Sequence, residues 1–369
     1  MNKLKQEILY VPVETLWEFT FQVFRGLGVP EEDARVCTEV LIASDLRGIE
    51  SHGVGRLKMY YDRIKQGILS PVTRFEVVKD TPTTAVVDGH HGMGHVIGHR
   101  SMRMAMDKAR QYGLGAVAVR NSSHFGIAGY YALMAAREGM IGLAFTNARP
   151  SVAPTFSVEP MLGTNPIAFA CPTDEPFPFC FDAATSITQR GKIEVLARAE
   201  KSTPAGWVID RQGNLATDTE DILAGIPKRL YALLPLGGKG EEMGGHKGYG
   251  LATTIEILCA ALQGGAFLKD LSGFDEEGRP RPHQLGHFFL AIDIEHFVPL
   301  PEFKRTAGEI LRALRTAQVS PDAERIYTAG EKAYLREQRI RKEGVPVNPN
   351  LRKNLRIMAE ELDLPGYPF

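Results

Sequence analysis

The chain has 369 residues, of which 44% are hydrophobic and 24% charged, and its formal net charge is −1. That length supports one large or two ordinary domains, with composition in the range of soluble globular proteins. The near-neutral balance excludes a strong basic field of the kind that recruits nucleic acid or an anionic membrane surface.

The N-terminal stretch Met1–Gln6 is polar without a signal-peptide core, and no apolar run reaches spanning length uninterrupted. Val13 to Phe21 repeats apolar residues at helical spacing until Gly26 and Gly28 stop it. Pro30-Glu31-Glu32-Asp33 starts a second helix, with proline in its first turn and acids over its positive end. A third amphipathic piece runs from Leu57 to Ile68.

Between the second and third pieces lies Ile49-Glu50-Ser51-His52-Gly53-Val54-Gly55-Arg56. His52 is a candidate proton carrier, because an unperturbed imidazole titrates near working pH. Arg56 is a candidate carboxylate clamp, because a planar guanidinium donates two parallel hydrogen bonds. Four residues apart, the two share a face if the stretch is helical. The competing reading is a helix end with an incidental histidine and a surface arginine.

From Phe75 the pattern turns to strands, beginning with Thr84 to Gly89. His91, His95 and His99 then follow at i, i+4 spacing, which invites a metal-site reading. They lack an acid or cysteine beside them, and the interleaved glycines fit a strand-to-helix turn. Gly92-Met93-Gly94 and Gly98 imitate a dinucleotide fingerprint with the wrong spacing, and no acid ends a strand at the expected distance. A helix from Met102 to Gln111 leads to the buried strand Gly115–Val119. At its end stands Asn121-Ser122-Ser123-His124-Phe125-Gly126, a second histidine at a strand end, where catalytic groups often lie.

Tyr130 to Arg137 is helical, and Ile141 to Asn147 is another strand. Asn147 ends that apolar run and Asn165 precedes a proline, so each is a ligand contact or a turn former. Asp182, at the end of Phe179-Cys180-Phe181, needs a partner if buried: a histidine, an arginine or backbone amides. Pairing with a catalytic imidazole would raise that imidazole's pKa. A cap into the Thr185-Ser186 turn is the competing role. Gly206 to Asp218 reads as a surface excursion. Gly244-Gly245-His246-Lys247-Gly248-Tyr249-Gly250 feeds a buried helix, so backbone amides and Lys247 stand at its positive end, a sensible diphosphate or carboxylate site. Leu285 to Asp293 is a last core strand, where His287 is better read as a satisfied core histidine. Helices from Pro301 to Gln318, Gly330 to Lys342 and Pro349 to Leu362 complete the chain.

Five motifs occur in a fixed order: Ser51-His52-Gly53-x-x-Arg56, Asn121-x-x-His124, Leu162-Gly163-Thr164-Asn165-Pro166, Asp182-x-Ala184-Thr185-Ser186 and His246-Lys247-Gly248-Tyr249-Gly250. On these the chain resembles, over nearly its whole length, the malate/L-lactate dehydrogenase family of NAD(P)-dependent oxidoreductases, which is unrelated to the Rossmann-type enzymes. The resemblance implies an α/β (α+β) fold that is not a Rossmann fold. A helical domain formed by both chain ends (1–75 and 299–369) would join a central mixed-sheet cofactor domain (76–298), and family members are typically homodimers. It implies hydride transfer between NAD or NADP, with NAD the first choice, and a small 2-hydroxy or 2-oxo acid. Malate is the first substrate expected; L-lactate, ureidoglycolate and sulfolactate are the alternatives.

By the same resemblance His52, His124, Arg56 and Asp182 are catalytic candidates. His52 is placed first as acid/base, with His124 sharing the substrate or orienting the ring. Ser51, Arg56, His124 and Asn147 would touch substrate. His124, Pro178, Phe181, Asp182, Ala183, Ala184, Thr185, His246, Lys247, Gly330, Glu331 and Lys332 would touch cofactor. The family usually has proline before the glycine-acid turn; Ala329 stands there, so the turn is expected to be less rigid. No metal is needed, and the remote alternative is a metal-dependent hydrolase or lyase on His91, His95 and His99. The four cysteines, Cys37, Cys171, Cys180 and Cys259, form no C-x2-C pair and read as buried thiols of a reducing compartment. Cytoplasmic location follows as an expectation, with no nucleic-acid or membrane partner.

Overall fold

The computed structural model describes residues 8–369. The polar stretch Met1–Gln6 lies outside them. In chain order the first half forms β1 (Leu9–Val11), α1 (Val13–Gly26), α2 (Glu31–Leu46), α3 (Leu57–Lys65), β2 (Glu76–Asp80), β3 (Thr84–Asp88), α4 (Gly94–Tyr112), β4 (Leu114–Ser122), α5 (Ala128–Arg137), β5 (Met140–Thr146), β6 (Ile167–Cys171) and β7 (Phe179–Ala183). The second half forms α6 (Arg190–Arg198), β8 (Val208–Asp210), β9 (Leu215–Ala216), α7 (Thr219–Gly225), β10 (Tyr231–Leu233), α8 (Gly245–Ala260), β11 (Leu285–Asp293), α9 (Leu300–Arg315), α10 (Glu331–Glu343), β12 (Val345–Val347) and α11 (Pro349–Glu361).

The fold is mixed α/β. Seven strands pair in the order β2-β3-β4-β11-β5-β6-β7. Only β3 and β4 run parallel; β11 enters from far along the chain and pairs antiparallel with both β4 and β5. Helices α4 and α5 cover one face, where Ile97, Met102, Met106, Tyr131 and Leu133 share a cluster with Phe289 of β11. Helix α8 covers the other face, where Ile255 and Cys259 meet Phe145. With helices on both faces the strands read as apolar runs, which is why they were legible as such.

Both chain ends share one apolar cluster. Leu16, Phe19, Phe24, Leu41 and Tyr60 from the N-terminal helices pack with Val345, Val347, Leu355 and Met358. The β1–β12 pair joins the two ends directly. Helix α9 lies elsewhere, held to the loop after β6 by Arg312–Asp174 contacts of 2.9 Å and 3.1 Å.

Two expectations change in detail. Gly206 to Asp218 is more than an excursion: β8 and β9 pair with β10 in a three-stranded sheet over its own core of Val208, Ile222 and Leu233. Helix α4 starts at Gly94 rather than Met102, so His95 and His99 ride on it.

Candidate active site

At one rim of the main sheet lie the C-terminal ends of β3, β4, β5 and β7 and the starts of β6 and β11. The His124 loop leaves β4 there. The His52 segment comes from the helical layer, and it is not a continuous helix: a turn leads into a single 3-10 turn over Val54–Arg56 before α3. Asp45, near the end of α2 and 5% exposed, organises that turn by accepting the Val54 amide at 2.8 Å. A Cβ on Gly53 would sit 1.8 Å from the Asp45 carboxylate, so this close approach requires glycine. Burial pushes the Asp45 carboxyl up to about 7.

His52 and His124 stack, with ring centroids 5.5 Å apart and planes 21° from parallel. The Ser51 hydroxyl holds His52 Nδ1 at 2.9 Å. The Tyr60 hydroxyl holds His124 Nδ1 at 2.5 Å, which leaves Nε2 of His124 without a protein partner among the described residues. Arg56 Nε donates to the Ser51 carbonyl at 2.6 Å, so its two terminal nitrogens remain for a ligand. Burial, then the Arg56 charge, lowers His52 to about 4. Burial, then His52, His95, Arg56 and Arg63, holds His124 well below the ordinary value. Both rings are therefore neutral at pH 7, the state in which an imidazole accepts a proton.

His124 and Arg56 line a cavity of about 660 Å³ together with Arg63, Arg149, Thr164 and Arg190. A larger groove of about 920 Å³ lies between α2 and α4, where Arg100 pairs with Asp33 at 2.7 Å and Lys108 with Asp80 at 2.5 Å. Tyr60, Arg63, Arg149 and Asp45 belong to none of the five sequence motifs. A signal existed for two of them: Arg56, Tyr60 and Arg63 recur at i, i+4 and i+7, one face of α3.

Several expected site residues have other employment. Asp182 does not pair with an imidazole or cap the Thr185 turn. Its carboxylate accepts the Gly129 amide at 2.8 Å and so caps α5, where the helix end favours a negative charge. Asn147 is fully buried and is not part of the cavity lining: Oδ1 accepts from the Gly286 amide at 2.8 Å and Nδ2 donates to the Ala266 carbonyl. Thr185 spends its hydroxyl on the Asn165 carbonyl at 2.9 Å. The Glu331 carboxylate is buried against Arg325 and accepts the Thr328 amide at 3.2 Å, so the side chain is not free for a cofactor. His287 is a satisfied core histidine, bonded to Thr146 and Ser122 at 2.8 Å each.

The histidine-rich turn does not gather a metal site. His95 is fully buried against Tyr60 and Phe24, His91 bonds the His283 carbonyl, and His99 faces the groove beyond α4. Among the described residues, no group of three or more His, Cys, Asp or Glu side chains is arranged to hold a metal ion.

The remaining cofactor candidates lie on or just beyond β7 and at the starts of α8 and α10. Strand β7 is the outermost strand of the sheet, with Phe181 41% exposed. Near its start, Gly330 (φ 95°) packs so close that an added Cβ would lie 2.8 Å from the Pro178 carbonyl, and Cys180 N–H donates to the Ala329 carbonyl. Beyond its end, Leu236 donates to the Thr185 carbonyl at 2.8 Å and packs against Gly248 of α8. Both α8 and α10 begin at glycines with no side-chain cap, and His246, Lys247 and Lys332 stand exposed in their first turns. Ala183 and Ala184 lie between the two helix ends without bulk. Uncapped helix amides and lysines form a donor set suited to an extended, phosphate-bearing ligand, so these residues fit a dinucleotide.

Hence the fold and site define a non-Rossmann dehydrogenase architecture built around a small anionic substrate. The comparisons with known proteins agree. The malate/L-lactate dehydrogenase family matches residues 11–356. Malate dehydrogenase from Pyrococcus horikoshii is 45% identical over 361 residues, covering 98% of each chain. L-sulfolactate dehydrogenase from Methanocaldococcus jannaschii is 38% identical over 345 residues, covering 93% of this chain and 94% of its own. The crystal structure of malate dehydrogenase from Entamoeba histolytica superposes with a TM-score of 0.95 at 44% identity, covering 98% of this chain and 100% of its own. The chain belongs to the malate/L-lactate dehydrogenase family. It is an oxidoreductase of 2-hydroxy acids that uses a nicotinamide cofactor.

The site's buried histidines carry a stability consequence. Burial lowers His52 to about 4 and His95, His283 and His287 to about 3. Below pH 6.5 the unfolded chain takes protons that these folded rings refuse, so each ring's contribution is full above 6.5 and lost as pH falls toward 4 or 3. The Asp45 carboxyl acts in the opposite sense, favouring the fold most below pH 4 and losing that contribution by pH 7. Four depressed rings outweigh it. The urea midpoint should fall between pH 7 and pH 5; a midpoint that rises on acidification would contradict the neutral burial of these rings.

Proposed function

We propose that the chain interconverts malate and oxaloacetate, with His124 as acid/base and Arg56 as clamp for the carboxylate next to the reacting carbon. The observation that supports this most is the His124–Arg56 pairing at one wall of an arginine-lined cavity. Hydride exchange with the substrate's C2 is the chemistry the nicotinamide supplies when bound. On oxidation the hydroxyl proton passes to His124 Nε2. Its Nδ1 stays on the Tyr60 hydroxyl, which keeps the ring aimed in both protonation states. His52, placed first by the sequence, does not line the cavity. It stacks behind His124 and, when charged, would hold that pKa down.

His246, Lys247 and Lys332, with the amides of α8 and α10, would hold the cofactor along β7. Exposed Ile257, Leu262 and Phe267 on and after α8, each more than half accessible, support burial against a second copy as a homodimer. The four free, buried cysteines support a reducing, cytoplasmic setting.

The test is absorbance at the reduced-nicotinamide band, with EDTA present. Purified protein is given NADH or NADPH and a panel of 2-oxo acids. Oxidation with oxaloacetate ahead of pyruvate is expected, and the preferred coenzyme separates NAD from NADP. Folded protein that consumes neither coenzyme with any acid would sink the reading.

A further inference from the structure

The cavity beside His124 holds more positive charge than one carboxylate needs. Arg56, Arg63, Arg149, Arg190 and Arg229 line it, and Glu194 is the sole acid among its lining residues. Glu194 is already taken by Arg190 at 3.0 Å. Arg63 and Arg149 have no carboxylate partner among the described residues. Arg63 is half-buried and Arg149 opens to solvent; desolvation and mutual repulsion disfavour both charges, Arg63 beside Arg149 and Arg56 with Tyr60 opposing, and Arg149 beside Arg190 and Arg56. His283 closes the same wall, 8% exposed, with Nδ1 buried and unpartnered. In the groove between α2 and α4, by contrast, Arg100 pairs with Asp33 and Lys108 with Asp80. Like charges gathered without a counter-ion cost folding free energy, and that cost is relieved when an anion binds among them.

We propose that Arg149 and Arg63 form a distal anion subsite that recognises the second acidic group of a dianionic 2-hydroxy acid, carboxylate or sulfonate. The inference rests on the dehydrogenase reading above and deepens it. Arg56 is anchored to the histidine turn through Ser51, which sets it at the reacting end. Arg149 enters on the loop after β5, and Arg63 stands two helical turns along α3 from Arg56. A dianion engages both ends of this charge array. A monoacid such as lactate leaves the Arg149–Arg63 end unpaired, so discrimination follows charge rather than size.

The experiment compares wild type with R149M and R63M. Two quantities are read: kcat/KM for oxaloacetate, sulfopyruvate and pyruvate, and calorimetric binding of malate and lactate. Each substitution should lower kcat/KM for the two dianions about 10- to 100-fold, the range for one lost hydrogen bond to a charged group. Pyruvate should lose far less than the dianions, and circular dichroism with thermal unfolding serves as the folding control. A loss confined to oxaloacetate or to sulfopyruvate assigns the subsite to that one anion. Equal losses for dianions and pyruvate, or none for any, would overturn the subsite. Wild type that turns over no oxo acid, yet binds malate over lactate until R149M removes the difference, keeps the subsite and refutes the dehydrogenase reading. Turnover whose dianion preference survives both substitutions does the reverse. If R63M fails to fold, R149M, on an exposed loop residue, decides alone.

Discussion

Replacing His124 by asparagine should lower kcat by roughly 10²–10⁴-fold, the usual contribution of a positioned general acid or base. Asparagine fills much of the ring's place without carrying a proton. His124 Nε2 is the group left to the substrate, since Tyr60 occupies Nδ1. The packing around it comes from Tyr60 and His52, so thermal unfolding should change little. The companion H52N variant should lose less, because His52 acts through the stacked ring and lies outside the cavity lining. Its pH profile of kcat should keep the wild-type midpoint above pH 5, because His52 is lowered to about 4 and is neutral there, while burial is the main cause that holds His124 down. A small loss in H124N beside a thousandfold loss in H52N would move the proton-transfer role to His52, where the sequence first placed it.

The second large effect is expected at Arg56. R56M should lower kcat/KM for malate by about 10²–10³-fold, because truncating one partner of a desolvated charge pair costs roughly 3–4 kcal/mol. R56K should recover only part of this. Lysine restores the charge but not the two parallel donors that fix a carboxylate's plane, and it lacks the Nε that ties Arg56 to Ser51. Mono- and diacids should suffer alike, in contrast to substitutions at Arg149. Steady-state kinetics on both acids read the difference. An unchanged KM with both acids would leave Arg56 as scaffolding for the histidine turn.

Much of this protein was legible in the chain alone. The apolar runs of the sheet, the helices at both ends, the glycine-rich entry into α8 and the five ordered motifs are local patterns. A residue's neighbours at i+2 or i+4 are set by backbone geometry. The family and the absence of a Rossmann fingerprint followed from those patterns, whereas the expected pairing of His52 with Arg56 gave way to His124 and Arg56 on one cavity wall.

Tertiary structure decided what each polar group does. Asp182 ends an apolar run, where a histidine, an arginine or backbone amides could each satisfy it, and the packing of β7 beside α5 selects the Gly129 amide. Asn147 looked like a ligand contact until β11, arriving from some 140 residues away, gave it the Gly286 amide. Asp45 belongs to no motif, and becomes the post behind the histidine turn only because α2 is buried beside it. Arg63 and Arg149 are far apart in sequence and share no motif; only the closing of α3 over the sheet rim sets them around one cavity. The physical reason is common to all four. Spacing along the chain specifies which residues share a face, whereas burial and long-range pairing specify which partner satisfies a charge, and a buried polar group takes whichever partner the fold delivers.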